Sequence, residues 1–291
     1  MTENSRSGRH LFDGFSLEVS ARYIAALANS AEQLVPGTRI FIPWLPGEDD
    51  ELRLKAACTV RTLGFEPVPH LSARRIASSA ELHALIVRMA GEAGVERCLV
   101  IGGDPAQAAG PFVDSLALID TGYLERAGIK AIDIGGHPDG HPVMDMEGRW
   151  RALGQKLQSI AARGMTPSIV TQFSFDAGVV LAWLDELRAR GMSCPVELGV
   201  PGPTSVATLA RYATLCGVRG TASMLSKYGV SLGKLLGTAG PDVFITRLLD
   251  GLAPRHGDVG LHFFPFGGVA KSIQWIDEYQ RKIHALQGRS W

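Results

Sequence analysis

The segment GGHPDGHP, residues 135–142, sets His137 and His141 four positions apart and follows each with a proline. On a helix that spacing would put both imidazoles on one face, the arrangement of zinc hydrolases. Pro138 and Pro142, however, push the residues before them toward extended backbone, so the segment reads as a turn. No cysteine or carboxylate stands at zinc spacing beside it, and no metal is expected. Prolines stiffen the segment while Gly135, Gly136 and Gly140 free it, a combination suited to holding a bound molecule.

Other residues in the chain have the types that chemistry needs. Glu18 lies between Leu17 and Val19 in FSLEVSA. A carboxyl group in such a strand is costly to bury ionised, and its neutral form could deliver a proton near neutral pH. The competing reading is a carboxylate in a polar layer or an ion pair. Gly102 and Gly103 form a turn that delivers Asp104, because glycine lets backbone pass close to a ligand. His70 closes VPHL. Gln172, in VTQFSFD, carries an amide that could hydrogen-bond a flat heterocycle or cap a strand end. Trp44, Phe173 and Phe263 could stack on an aromatic ligand, although core packing is the commoner use. His262 interrupts the last apolar run and reads as a packed or hydrogen-bonded structural histidine.

These residues share a position: each lies within or just after a short apolar run. The runs are FSLEVSA, RIFIPWL, FEPVPHL, RCLVIGG, KAIDIGG, SIVTQFS, PVELGVP and GLHFFPF. Between them come segments with apolar residues every three or four positions, such as ELRLKAACTVRTLG, SAELHALIVRMAGEAG and AGVVLAWLDELRARG. Their closing glycines, Gly64, Gly94 and Gly191, suit helix C-termini. Continuous apolar strands alternating with helices imply a covered parallel sheet, and eight such units predict a (β/α)8 TIM barrel. A doubly wound sheet is disfavoured because the first strand has no G-x-G-x-x-G after it. The barrel is expected over residues 15–291 as a single domain after a polar tail, 1–14. Residues 218–256 are expected to form a helical excursion before the last strand. In a TIM barrel the residues at C-terminal strand ends line the active site.

Composition narrows the partners. Acidic and basic residues balance at 29 each, leaving no electrostatic footprint for nucleic acid or an anionic membrane. Cys58, Cys98, Cys194 and Cys216 form no C-x-x-C pair and read as free thiols in a reducing compartment. The polar start, MTENSRSGRH, leads into no apolar signal segment, and the expectation is a soluble cytoplasmic protein, compatible with a homo-oligomer.

Taken in order, FSLEVSA, VPHLS, IGGDPAQ, GGHPDGHP, IVTQFSFD and LHFFPF resemble the motifs of the methylenetetrahydrofolate reductase family, from about Phe15 to Gln274. The pairing of HPDGHP with TQFSFD some thirty residues later is the most specific part. The resemblance implies a flavoprotein of one-carbon metabolism and methionine biosynthesis. It would carry FAD, take hydride from NADH or NADPH, and interconvert methylene-tetrahydrofolate and methyl-tetrahydrofolate. By the same resemblance, Glu18 is the general acid and Asp104 lies near the flavin and the pterin. Gln172 and Phe173 fall to the substrate, and His70, Gly103, Gly136, His137 and His141 to the cofactor. The chain departs from the family at Gly102, where an arginine is usual, and at His137, usually tyrosine. Ile160 occupies the place of a basic residue, leaving Lys156 or Arg163 to serve the flavin phosphates, and the Phe-Pro-Pro after the glutamate is missing. Two alternatives follow: a flavin-free branch using NADH directly, and a barrel that binds folate or flavin without turnover.

Overall fold

The computed structural model describes residues 11–215 and 238–287. Eight parallel strands close into a barrel: β1 (Ser16–Glu18), β2 (Arg39–Ile42), β3 (Glu66–Ser72), β4 (Arg97–Ile101), β5 (Ala131–Gly136), β6 (Thr166–Thr171), β7 (Val196–Pro201) and β8 (Val259–Phe264). Each strand pairs with its neighbours in chain order, and β1 closes on β8 through Ser16 opposite His262. All eight expected runs are therefore strands, shifted by no more than a few residues. A two-residue antiparallel ladder, Thr204–Ser205 with Thr238–Ala239, follows β7.

The outer helices start where the sequence supplies a capping side chain. Asp49 accepts from the Leu52 amide at the head of α1 (Asp50–Thr62), and Ser78 accepts from the Glu81 amide at α2 (Ser79–Ala93). Asp145 caps α3 (Met146–Ala162) and Asp176 caps α4 (Ala177–Ala189). Gly94 ends α2 in the left-handed region at φ 58°, where a side chain would be strained. Helix α5 (Asp242–Gly251), expected as part of an excursion, packs on α4 in the outer layer. Of that segment, residues 218–237 lie outside the described residues. Leu11 and Phe12, within the expected tail, are each only 2% exposed; Phe12 meets Phe263, Trp275 and Tyr279.

Alternation along the strands divides two cores. Leu17, Ile40, Ile42 and Val100 face outward and join the large core beneath the helices. Inside the barrel, Phe41, Val68, Leu99 and Val170 form a separate apolar layer. Toward the N-terminal strand ends lies a charged layer: Arg39 with Glu197, and Arg97 with Asp133 at 2.8 Å and Glu66 at 3.6 Å. Beyond the apolar layer, at the C-terminal ends, the interior turns polar again.

Candidate active site

At the barrel mouth Glu18 projects from the end of β1, its side chain 21% exposed. Two histidines converge on its Oε2 atom: Nε2 of His70 at 3.6 Å and Nε2 of His262 at 3.8 Å. Neither Nε2 atom has a hydrogen-bond partner among the described residues, and both are buried. Burial pushes His70 down to about 4, against the opposing pull of Glu18, so its ring is neutral at physiological pH. On its far side His262 meets the Ser16 hydroxyl through Nδ1 at 2.9 Å, and Ser16 donates to Glu197 Oε2 at 2.5 Å. The expectation of a hydrogen-bonded His262 is met, but it also belongs to the group around Glu18. The signal for this was available: a histidine inside the barrel one strand away from a buried acid. Ser16 carried no such signal, and its pairing with Glu197 spans 181 positions of sequence.

A second group surrounds the double-proline turn. His137–Gly140 is a tight turn closed by the Gly140 amide on the His137 carbonyl at 3.2 Å, with Gly140 at φ 108°. The rings of His137 and His141 meet edge-on, 4.8 Å apart. Among the described residues no three His, Cys, Asp or Glu side chains come together to hold a metal ion. Burial drives His137 down to about 3, with His141 and Lys156 adding to the shift. Arg149 on α3 donates to the His137 carbonyl at 2.9 Å and ties the turn to the helix.

Arg149 and Lys156, two helical turns apart on one face of α3, line a small open cleft with Gly136 and His137. Trp150 and Trp183, stacked at 5.7 Å, form one of its walls. Burial lowers Lys156 to about 8, so its ammonium is charged at neutral pH. Arg163 is committed elsewhere, to Glu125 at 2.8 Å and Asp120 at 3.5 Å, and Ile160 is wholly buried in the core. Lys156 is thus the basic side chain of the pair that faces this cleft.

Gly103, at φ 92°, lies against Ser72: a Cβ there would fall 2.0 Å from the Ser72 hydroxyl, a buried oxygen with no partner among the described residues. Asp104 follows at the C-terminal end of β4 but is 87% exposed and meets Arg75 at 3.5 Å. Gln172 bonds to Gly136 through its backbone amide at 2.8 Å, while its side-chain oxygen accepts from the Phe173 amide at 3.0 Å. Phe173 is wholly buried among Phe175, Phe264 and Phe266, so its ring packs into the core and presents no face to the mouth. Trp44 lies under the Arg53 guanidinium, and Phe263 is core. Cys58, Cys98 and Cys194 are free thiols; Cys216 lies outside the described residues. Among the described residues no helix is long and apolar enough to cross a membrane.

A parallel barrel with an acid, two histidines and a cationic cleft at the C-terminal strand ends defines a TIM-barrel protein with its polar centre at the mouth. The chain matches the methylenetetrahydrofolate reductase family over residues 31–231 and belongs to that family. It is 28% identical over 158 residues to methylenetetrahydrofolate reductase 2 of Saccharomyces cerevisiae, covering 52% of this chain and 26% of the yeast protein. It is 24% identical over 185 residues to methylenetetrahydrofolate reductase (NADH) 1 of Arabidopsis thaliana, covering 58% of this chain and 31% of the plant protein. The matched parts thus amount to less than a third of either relative. Among solved structures, dihydropteroate synthase from Thermus thermophilus, in complex with 6HMPPP, superposes with a TM-score of 0.51 at 13% identity. That match covers 94% of this chain and 92% of the other and shows a shared barrel fold.

Proposed function

We propose that this protein interconverts methylene-tetrahydrofolate and methyl-tetrahydrofolate, with Glu18 as the general acid and FAD across the barrel mouth. The observation that carries the reading is the family match together with Glu18 at the mouth, held between two buried histidine nitrogens without other partners among the described residues. Opening the methylene bridge requires a proton on the departing folate nitrogen. Glu18 is an acid at the mouth whose side chain, 21% exposed, is open enough to reach a ligand. Gln172, at the end of β6, would orient the flat pterin through its amide, and Phe173 would support that strand end from below.

The residues present fit a flavin nucleotide. His70 Nε2 and Ser72 Oγ are buried polar atoms in want of partners, and the absence of a side chain at Gly103 leaves backbone beside them. They would meet the polar edge of the ring, while Arg149, Lys156, His137 and His141 would take the phosphates at the cleft. When bound, the flavin supplies the hydride carrier between nicotinamide and folate. The name of the Arabidopsis relative includes NADH, which makes NADH the first donor to test alongside NADPH. Asp104, exposed beside Arg75, would turn toward the ligand only when one is present.

A second reading has one observation in its favour: Ile160 is fully buried where the family places a basic residue, so that position holds no phosphate. Direct hydride transfer from NADH without flavin would suit this. The visible spectrum of the purified protein tests both. A yellow protein that bleaches with NADH or methyl-tetrahydrofolate supports the first reading, and a colourless active protein supports the second. A protein inactive with and without added FAD contradicts both and leaves a binding barrel.

A further inference from the structure

We propose that His262 is a positioning residue for Glu18: Ser16 and Glu197 hold it as the Nδ1–H tautomer, so that a bare Nε2 faces the carboxyl group. A chain of hydrogen bonds across the barrel interior sets this tautomer. The Arg39 guanidinium, which carries donors only, lies against Glu197 Oε1. The second carboxylate oxygen, Oε2, receives the Ser16 hydroxyl hydrogen at 2.5 Å. Having given its one hydrogen, Ser16 Oγ offers only lone pairs to His262 Nδ1, 2.9 Å away, so Nδ1 must carry the ring hydrogen. A neutral imidazole has one such hydrogen, and Nε2 is left as an acceptor.

That nitrogen lies 3.8 Å from Glu18 Oε2, wholly buried and without a partner among the described residues. His70, from the other side, sets its own Nε2 3.6 Å from the same oxygen. The rest of the His262 surround is aromatic, with the Phe41 and Phe264 rings edge-on at 4.6 and 4.8 Å. The ionisable groups facing the pair are therefore His70 on β3, Glu197 on β7 and, behind it, Arg39 on β2. Burial pushes the Glu197 carboxyl upward, while Arg39 and Ser16 oppose that shift.

The consequence concerns the proton on Glu18. A lone pair opposite Oε2 offers an acceptor to the carboxylic acid form, whereas an N–H at the same place could only donate. The tautomer thus orients the acid form of Glu18, whose proton is transferred to the departing folate nitrogen. Glu18 is left as a carboxylate and regains its proton from water at the open mouth. This consequence rests on the proposed folate chemistry; the tautomer does not.

The test is long-range ¹H–¹⁵N NMR on the ligand-free protein with labelled histidine, the His262 signals assigned by their loss in His262→Gln. The wild type should show the Nδ1–H form at neutral pH. Ser16→Ala should shift His262 toward Nε2–H, and Ser16→Thr, which keeps the hydroxyl, should restore Nδ1–H. In turnover, Ser16→Ala should lower kcat more than it raises KM. A wild-type His262 that is Nε2–H or doubly protonated at neutral pH overturns the proposal, and that reading stands even if Ser16→Ala fails to fold. So does a folded Ser16→Ala with an unchanged tautomer. The expected tautomers in a protein without folate turnover would overturn the functional reading and leave this one standing.

Discussion

Arg53, carried on α1, donates from Nη2 to the backbone carbonyl of His70 on β3. The guanidinium is wholly buried, also reaching Asp50 at 3.2 Å and lying 4.1 Å over the Trp44 ring. Burial lowers it to about 10, which leaves it charged under all physiological conditions. A helix outside the barrel thereby fixes the strand end that presents His70 to Glu18. Arg53→Lys keeps a charge but loses the planar fork, and should lower stability by roughly 1–3 kcal/mol. Urea midpoints of the two proteins measure this, and coincident midpoints would show that the bond does not hold the strand.

The cleft beside α3 predicts where cofactor affinity resides. Lys156→Met and His141→Ala should each weaken flavin binding, Lys156→Met by roughly tenfold or more, the usual scale for a lost charged hydrogen bond. Because the charged ammonium is the binding form and burial lowers Lys156 to about 8, affinity should also fall as pH rises through that value. Fluorescence titration with FAD reads both effects. Normal folding with unchanged occupancy in both variants would separate this cleft from the cofactor.

Histidine burial makes a prediction about acid stability. His70 is lowered to about 4 and His137 to about 3, below the ordinary 6.5. Their folded values are depressed, so between roughly pH 6.5 and 4 the unfolded chain binds protons that the native state does not. Their contribution is complete above roughly pH 6.5 and is lost progressively as pH falls toward those folded values. Thermal unfolding followed from about pH 7 to about pH 4 should show a falling Tm, with a shallower fall in His70→Gln. A Tm independent of pH over that range would contradict the buried neutral rings.

Gly103 is a position in the loop after β4 that tolerates no side chain. Its φ of 92° strains any L-residue, and a Cβ would strike the Ser72 hydroxyl at 2.0 Å. Gly103→Ala should therefore cost roughly 1–2 kcal/mol and displace the loop bearing Asp104. Combining it with Ser72→Gly removes the clash but keeps the φ strain, so stability should return only in part. Full recovery in a denaturation curve would assign the whole cost to the collision.

The barrel was legible because parallel strands covered on one side and packed on the other read as nearly continuous apolar runs, such as the IFI of RIFI and the CLVI of RCLVI. Closing glycines such as Gly94 marked helix ends by local chemistry alone. What stayed hidden depends on direction across the barrel. Position at a strand end did not reveal that Asp104 points to solvent or that Phe173 points into the core, since one residue of alternation reverses a side chain. Glu197 within PVELGVP is the same kind of signal as Glu18, a carboxyl in an apolar strand that demands a partner. Its partners Ser16 and Arg39 lie far away in sequence and become neighbours only once the barrel closes.

The most direct measurement is rapid mixing of Glu18→Gln with each substrate separately. This substitution keeps size and hydrogen bonding but removes the transferable proton, and loss of a general acid typically slows a step about a hundredfold to ten-thousandfold. The variant should fold, bind cofactor and exchange hydride with nicotinamide as the wild type does, while the folate half-reaction slows by that factor. A folate half-reaction at wild-type speed in Glu18→Gln would contradict the assignment of the acid, and with it the role given to the two histidines around it.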